Sequence, residues 1–238
     1  MSYRFQTMNI KGALPSKLLL VVVAVLIAGA AVYLLLPKAQ ELPSDPFAGY
    51  PTEITSQLSP EKQTQTEEEI AALTTQINDK VAAGEYALDL YFMRGGDYQR
   101  LGHLQLAFAD FETVVSGDPH NETAWNNMGD ILVTIGNIEP AEAFYKQAIE
   151  ATPSENTYNK LYRYYTQYRE DDRFEAIGPL LTEAIAAVQS KAPFYVKLGR
   201  WYLDKGDKEQ AVRSFEAALE LDPENQELKM ELDAAKML

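Results

Sequence analysis

The sequence predicts an all-α protein: a helical solenoid preceded by one N-terminal transmembrane helix. Two observations carry this reading. A nine-position pattern occurs three times in phase. Tyr91, Arg94, Gly95, Tyr98, Gly102, Ala107, Phe111, Val114 and Pro119 return 34 residues later as Trp125, Met128, Gly129, Leu132, Gly136, Ala141, Tyr145, Ala148 and Pro153. They return again, 70 residues further on, as Tyr195, Leu198, Gly199, Tyr202, Gly206, Ala211, Phe215, Ala218 and Pro223. A period near 34 marks stacked two-helix units, which present a surface to a partner rather than a reactive centre. The second observation is a run of 19 uncharged residues, Leu18 to Leu36.

Residues 1–17 form a basic N-terminus, and residues 18–36 are the predicted membrane helix. At 1.5 Å per residue that run reaches about 28 Å, close to the roughly 30 Å hydrocarbon core of a bilayer. Three cations precede it, whereas Lys38 beyond it is followed by Glu41 and Asp45. The positive-inside rule then puts the N-terminus in the cytoplasm and the solenoid on the far side, periplasmic or at the cell surface if the host is bacterial. The competing reading is a cleaved signal peptide with Ala28-Gly29-Ala30 as its cutting site. Cleavage there would leave Ala31 to Leu36 as an apolar stub, and signal cores are shorter than this run.

Charge is divided unequally. The first 38 residues carry +4 and no acid, leaving −18 for the other 200 and −14 in all. So acidic a body repels nucleic acid, whose binding depends on phosphate neutralisation. The absence of cysteine removes disulfides, thiolate catalysis and thiolate zinc sites together.

Residues 37–60 contain five prolines among polar residues and no apolar period, the composition of a semi-extended tether. Residues 61–87 predict an amphipathic lead-in helix through Ile70, Leu73, Ile77 and Val81, ending at Gly84. Its start is either a capping box of Thr64 with Glu67 or the pair Ser59-Pro60.

The units span 88–121, 122–155, 156–191 and 192–225. In the second, Trp125, Met128 and Leu132 share one helix face, and Gly129 beside it admits the second helix closely. Gly136-Asn137 is the turn, both residues tolerating positive φ. Ala141, Tyr145 and Ala148 form the inner face of the second helix, and Pro153 ends the unit.

These positions resemble the tetratricopeptide repeat family, whose W-x₂-L-G-x₂-Y…A-x₃-F…A…P pattern is met at 122–155 and 192–225 and, with Arg94 in an apolar place, at 88–121. The resemblance implies a right-handed superhelix of helix pairs. The unit at 156–191 departs from the pattern. Tyr158, Leu161 and Tyr165 keep register, but Tyr162 replaces the packing glycine and Glu170-Asp171-Asp172 replaces the glycine turn. About three inserted residues and a changed pair angle are expected there. Residues 226–238 read as the polar-backed cap that solenoids need.

In this family the first helices line a concave surface, which implies a ligand-facing role for Asn126, Asn127 and Asp130, then Asn159, Lys160 and Arg163, then Lys197 and Arg200. Lys160/Arg163 and Lys197/Arg200 are 37 residues apart and should stack as a cationic ladder suited to a carboxylate. The alternative is that these cations are ordinary solvated residues. Tyr162, Tyr164 and Tyr168 are further candidates as interface anchors, set against core packing. His103 and His120 have no metal-ligand neighbour at helical spacing, and no nucleophile, phosphate or dinucleotide motif is present. No catalytic, metal or cofactor site is therefore expected. The sequence predicts a non-enzymatic, membrane-anchored adaptor or assembly factor that captures a protein or peptide. The alternative is a structural subunit that oligomerises within an envelope complex.

Overall fold

Five of the described helices start at a capping side chain. Ser59 caps α1 (Pro60–Ala82), so the Ser59-Pro60 start prevails, and Thr64 lies inside the helix with its hydroxyl on the Pro60 carbonyl at 3.2 Å. Asn121 accepts from the Ala124 N–H at 2.9 Å to open α4 (Glu122–Ile135). Ser154 and Thr157 form a reciprocal capping box on α6 (Glu155–Gln167). Asp207 and Asn225 cap α9 (Lys208–Leu221) and α10 (Gln226–Met237). Each such oxygen satisfies a first-turn N–H that has no partner within its helix.

The remaining helices are α2 (Leu88–Leu101), α3 (Leu104–Gly117), α5 (Ile138–Ala151), α7 (Asp171–Ala187) and α8 (Ala192–Asp204). This computed structural model describes residues 45–238, except the side chain of Asp171, all within one of the chain's two units, Leu42–Leu238. The basic stretch 1–17 and the membrane helix expected over 18–36 lie outside the described residues. Among the described residues no helix is long and apolar enough to cross a membrane.

The pairs α2/α3, α4/α5, α6/α7 and α8/α9 are the four units. Every substantial helix contact joins sequence neighbours, with one more between α4 and α6, so the described helices form an open row rather than a closed bundle. The repeated positions supply the core: Phe111, Met128, Leu132, Tyr145, Leu198 and Phe215 are all buried, with Ala107, Ala141 and Ala211 wholly enclosed at the closest contacts. One continuous cluster runs from Leu104 to Leu198 and takes in Phe47. A second joins α9 to α10, and a third joins Leu73 and Ile77 of α1 to Leu90 of α2. The first unit's turn and the second's share a device: Gly136 has φ +85°. Asn137 does not share it. Its φ is −84°, and its side chain serves elsewhere.

The departure at the third unit has a definite location. Helix α7 has 17 residues where α3, α5 and α9 each have 14, so the extra residues extend the second helix. Tyr158, Leu161 and Tyr165 are buried as expected, and so is Tyr164, whose hydroxyl donates to the Ile138 carbonyl at 3.0 Å. Tyr164 is thus a packing residue and is removed as an interface anchor. Where the turn glycine is missing, Arg173 lies buried over the Tyr164 ring at 5.4 Å and pairs with Glu139 and Glu170 at 2.8 and 3.3 Å. Both acids are largely exposed, so losing the charge leaves them solvated, and the guanidinium acts mainly by filling space. Arg173→Met should therefore cost less than about 1 kcal/mol, and Arg173→Ala roughly 1–3 kcal/mol, in chemical denaturation of the full chain.

The tether reading fails for residues 45–56. Phe47 is 6% exposed, wedged edge-on against Phe108 with ring centroids 5.5 Å apart. Asn137 donates to the Pro46 carbonyl at 2.8 Å, the Ile54 N–H to Gly102 at 2.9 Å, and the Gln105 N–H to Thr52 at 3.0 Å. The segment is an arm lying across the turns of units 1 and 2. Backbone groups left open by prolines and turns find partners there, which composition alone does not reveal.

Candidate partner-binding face

One face of the row carries residues from each first helix. Counting from Glu122, the sixth and ninth places of the second unit are Asn127 and Asp130; Lys160 and Arg163 follow on α6, then Lys197 and Arg200 on α8. The structure brings neighbouring members of this series together, largely by pairing them with one another. The Lys160 ammonium donates to Asp130, whose other oxygen accepts the Tyr145 hydroxyl at 2.7 Å. Arg200 forms a fork on Glu231 of α10, with Nε donating at 2.9 Å. Lys197 donates to the Asn159 amide oxygen and lies 4.8 and 5.2 Å from the Phe194 and Tyr162 ring centroids.

The expected ladder is therefore not four free cations. Lys160 has an acidic partner from the first helix of the preceding unit and Arg200 one from the capping helix α10, at sequence separations of 30 and 31. Asp130 is the counter-ion of Lys160 rather than an open contact. Asn126 is 1% exposed and does not face solvent at all. It shares a flank of α4 with Asp130, one turn on, and that flank is the one turned toward α6 and closed by it. Asn127 and Asn159 are half-buried, and Arg163 is exposed with no acidic partner among the described residues.

Lys197 is distinct in its electrostatics. Burial is the largest influence on it and pushes its ammonium pKa down, with Arg200 acting the same way and Glu155 opposing. A cation held in partial desolvation beside aromatic faces gains more from an incoming carboxylate than a fully solvated one. Lys197 and Arg200 border a cavity of about 300 Å³ between α8 and α10, completed by Ala192, Pro193, Val196, Asp222, Asn225 and Leu228.

The same places in the first unit hold Phe92, Met93 and Gly96, residues the sequence reading did not name. With Ala72 and Leu73 of α1 they line a cavity of about 590 Å³, with Arg100 and Glu69 at its rim. Met93 is 53% exposed, a soft side chain that suits an apolar contact. Carrying the positions one unit upstream would have found this end. The face thus changes from apolar at α2, through amides at α4, to cationic at α6 and α8. The two histidines lie apart from it: His103 Nδ1 is 3.1 Å from Glu53 of the arm, and His120 lies by the Ala151 carbonyl at 3.4 Å.

Residues 99–163 and 192–225 match two family models, each described as tetratricopeptide repeat. DnaJ homolog subfamily C member 3 of Gallus gallus is similar at 27% identity over 151 residues, 58% of this chain and 30% of the relative. Protein O-mannosyl-transferase TMTC1 of Mus musculus is similar at 34% identity over 65 residues, 27% of this chain and 7% of the relative. The matches therefore span less than a third of either curated relative. Among solved structures, the C-terminal part of a TPR repeat-containing protein from Cytophaga hutchinsonii superposes with a TM-score of 0.52 at 20% identity, covering 73% of this chain and 66% of that one. That likeness is one of fold. Helix pairs at a 34-residue spacing, an open row and matching repeat models converge: the chain carries tetratricopeptide repeats, and its described residues form an all-α solenoid of that kind.

Proposed function

We propose that this protein is a non-enzymatic adaptor, anchored by residues 18–36 with its solenoid outside the cytoplasm, whose first-helix face captures an extended segment of another polypeptide. The observation that carries the reading is Lys197, a partly desolvated cation bordering a cavity, with an amide rather than an acid as its hydrogen-bond partner. A side-chain or terminal carboxylate of the captured segment binds Lys197 and Arg163. Asn127 and Asn159 supply amide contacts to its backbone, and an apolar side chain occupies the cavity beside Met93. The Arg200–Glu231 pair is half exposed on its arginine side and worth at most about 1 kcal/mol, so Arg200 can exchange partners at small cost. The anchor raises the effective concentration of the face near membrane-bound partners. The orientation rests on the three cations that precede residues 18–36 against the single Lys38 just beyond them.

Charge reversal tests the reading. Lys197→Glu with Arg163→Glu in the full chain should abolish crosslinking to the captured polypeptide in membranes while leaving the circular-dichroism melt unchanged. Unaltered crosslinking would remove the cationic end from the mechanism. The lowered pKa of Lys197 adds a direction. Its charge is present below that pKa and disappears as pH rises through it, so affinity for a carboxylate should fall on alkaline titration at lower pH than for an unperturbed lysine. Protease accessibility in spheroplasts checks the side of the membrane: a protected solenoid overturns the orientation.

A further inference from the structure

The arm reveals what the opposite side of the row can hold. Phe47 enters a groove walled by α3 and α5 and floored by Trp125 and Met128 of α4, beside which about 340 Å³ remains open. One unit later the same helix places make a second groove, walled by α5 and α7 and floored by α6. Lys146, Ile149 and Glu150 stand 34 residues after Glu112, Val115 and Ser116, and Leu161 occupies the place of Met128. Two exchanges open it: Glu142 stands where Phe108 narrows the first groove, and Pro179 of α7 offers no ring like that of Phe144. The result is a cavity of about 410 Å³ with Ile149, Leu161, Tyr165 and Leu180 at its base, into which no described residue inserts as Phe47 does.

Its rim is acidic. Glu150 and Glu183 border the cavity, and the one lysine there, Lys146, is already held by Glu142 at 2.6 Å. We propose that this second groove docks an extended segment of a partner protein bearing an aromatic side chain next to proline and flanked by lysine or arginine. The Pro46-Phe47 arm in the preceding groove is the chain's own example of such docking, and the acidic rim selects the flanking charge. An aromatic anchor in a mostly preformed apolar slot, with opposite charges at the edge, is the usual anatomy of a small recognition site. This inference concerns the second-helix side and does not rest on the carboxylate face.

The probe is the peptide Lys-Pro-Phe-Ala-Gly-Lys, acetylated and amidated so that it has no carboxylate, and labelled for fluorescence anisotropy against the full chain in detergent. Saturable binding is expected, weakened roughly tenfold or more when alanine replaces its phenylalanine or aspartate its lysines. Glu150→Lys, at an exposed position, should weaken it by a similar factor, and Ala176→Phe should block it by filling the groove. Lys197→Glu should leave it unchanged. No saturable binding up to millimolar peptide overturns the proposal, as does binding indifferent to the phenylalanine or to both groove substitutions, or binding lost with Lys197→Glu. Self-association of the full chain that Glu150→Lys abolishes also overturns it, by making a second copy the occupant.

Discussion

Arg94→Met, which restores the apolar residue that the second unit carries at the same place, should destabilise the protein by about 3–5 kcal/mol. The reason lies in Asp110 of α3. Its carboxylate is almost wholly buried and accepts a fork from Arg94, with both nitrogen–oxygen distances at 2.8 Å. Arg94 also donates to Thr74 of α1 at 3.1 Å and lies over the Tyr91 and Tyr98 rings at 5.3 and 5.7 Å. The hydrogen bonds to Asp110 raise the guanidinium pKa further, against burial, which lowers it. Methionine fits the space but leaves a buried charge without a counter-ion. The double variant Arg94→Met with Asp110→Leu removes both charges and should recover most of the loss. Denaturant unfolding of the full chain followed by circular dichroism measures both. A single variant within about 1 kcal/mol of the parent would show that Asp110 finds another partner or takes up a proton at little cost.

Gly102→Ala should release the arm. Gly102 has φ +89°, and a β-carbon there would sit 2.1 Å from the Ile54 carbonyl oxygen, a backbone atom that cannot rotate away. The left-handed conformation alone costs a substituted residue roughly 1–3 kcal/mol, and the clash adds to it. Relief comes from lifting residues 52–54, which breaks the Ile54 and Gln105 N–H bonds and withdraws the hold on Phe47. Chymotryptic cleavage near Phe47 and Tyr50 in the full chain should accelerate roughly tenfold or more, while helical ellipticity is preserved. Gly206→Ala is the internal control. Its φ is +76°, nothing lies within 4 Å of the added carbon, and its turn does not touch the arm, so it carries the strain without moving the arm. Equal cleavage rates in the two variants would mean that strain, not the contact with Ile54, governs release.

The arm also shows where sequence reasoning stopped. Residues 37–60 read as a tether because their composition lacks a period, yet Phe47 has a destination formed by residues 61 and 97 positions away, Phe108 and Phe144. No local pattern encodes that groove. The candidate site divides in the same manner. Register placed Lys160, Arg163, Lys197 and Arg200 on successive first helices, as their spacing implied. It could not reveal that Asp130 and Glu231 already neutralise two of them, nor that Asn126 is enclosed. The apolar end at Met93 was within reach of the same register argument applied to the first unit.

The sequence by itself determined the helices, their pairing into units and the positions at their core. These depend on interactions within a turn or within one unit, which composition and spacing express directly. Only the tertiary structure decided which cations remain available, where the arm docks and which groove stays open. Those outcomes depend on distances between groups on different units, and a charge or a ring is engaged or free according to what the neighbouring unit places within a few ångströms of it.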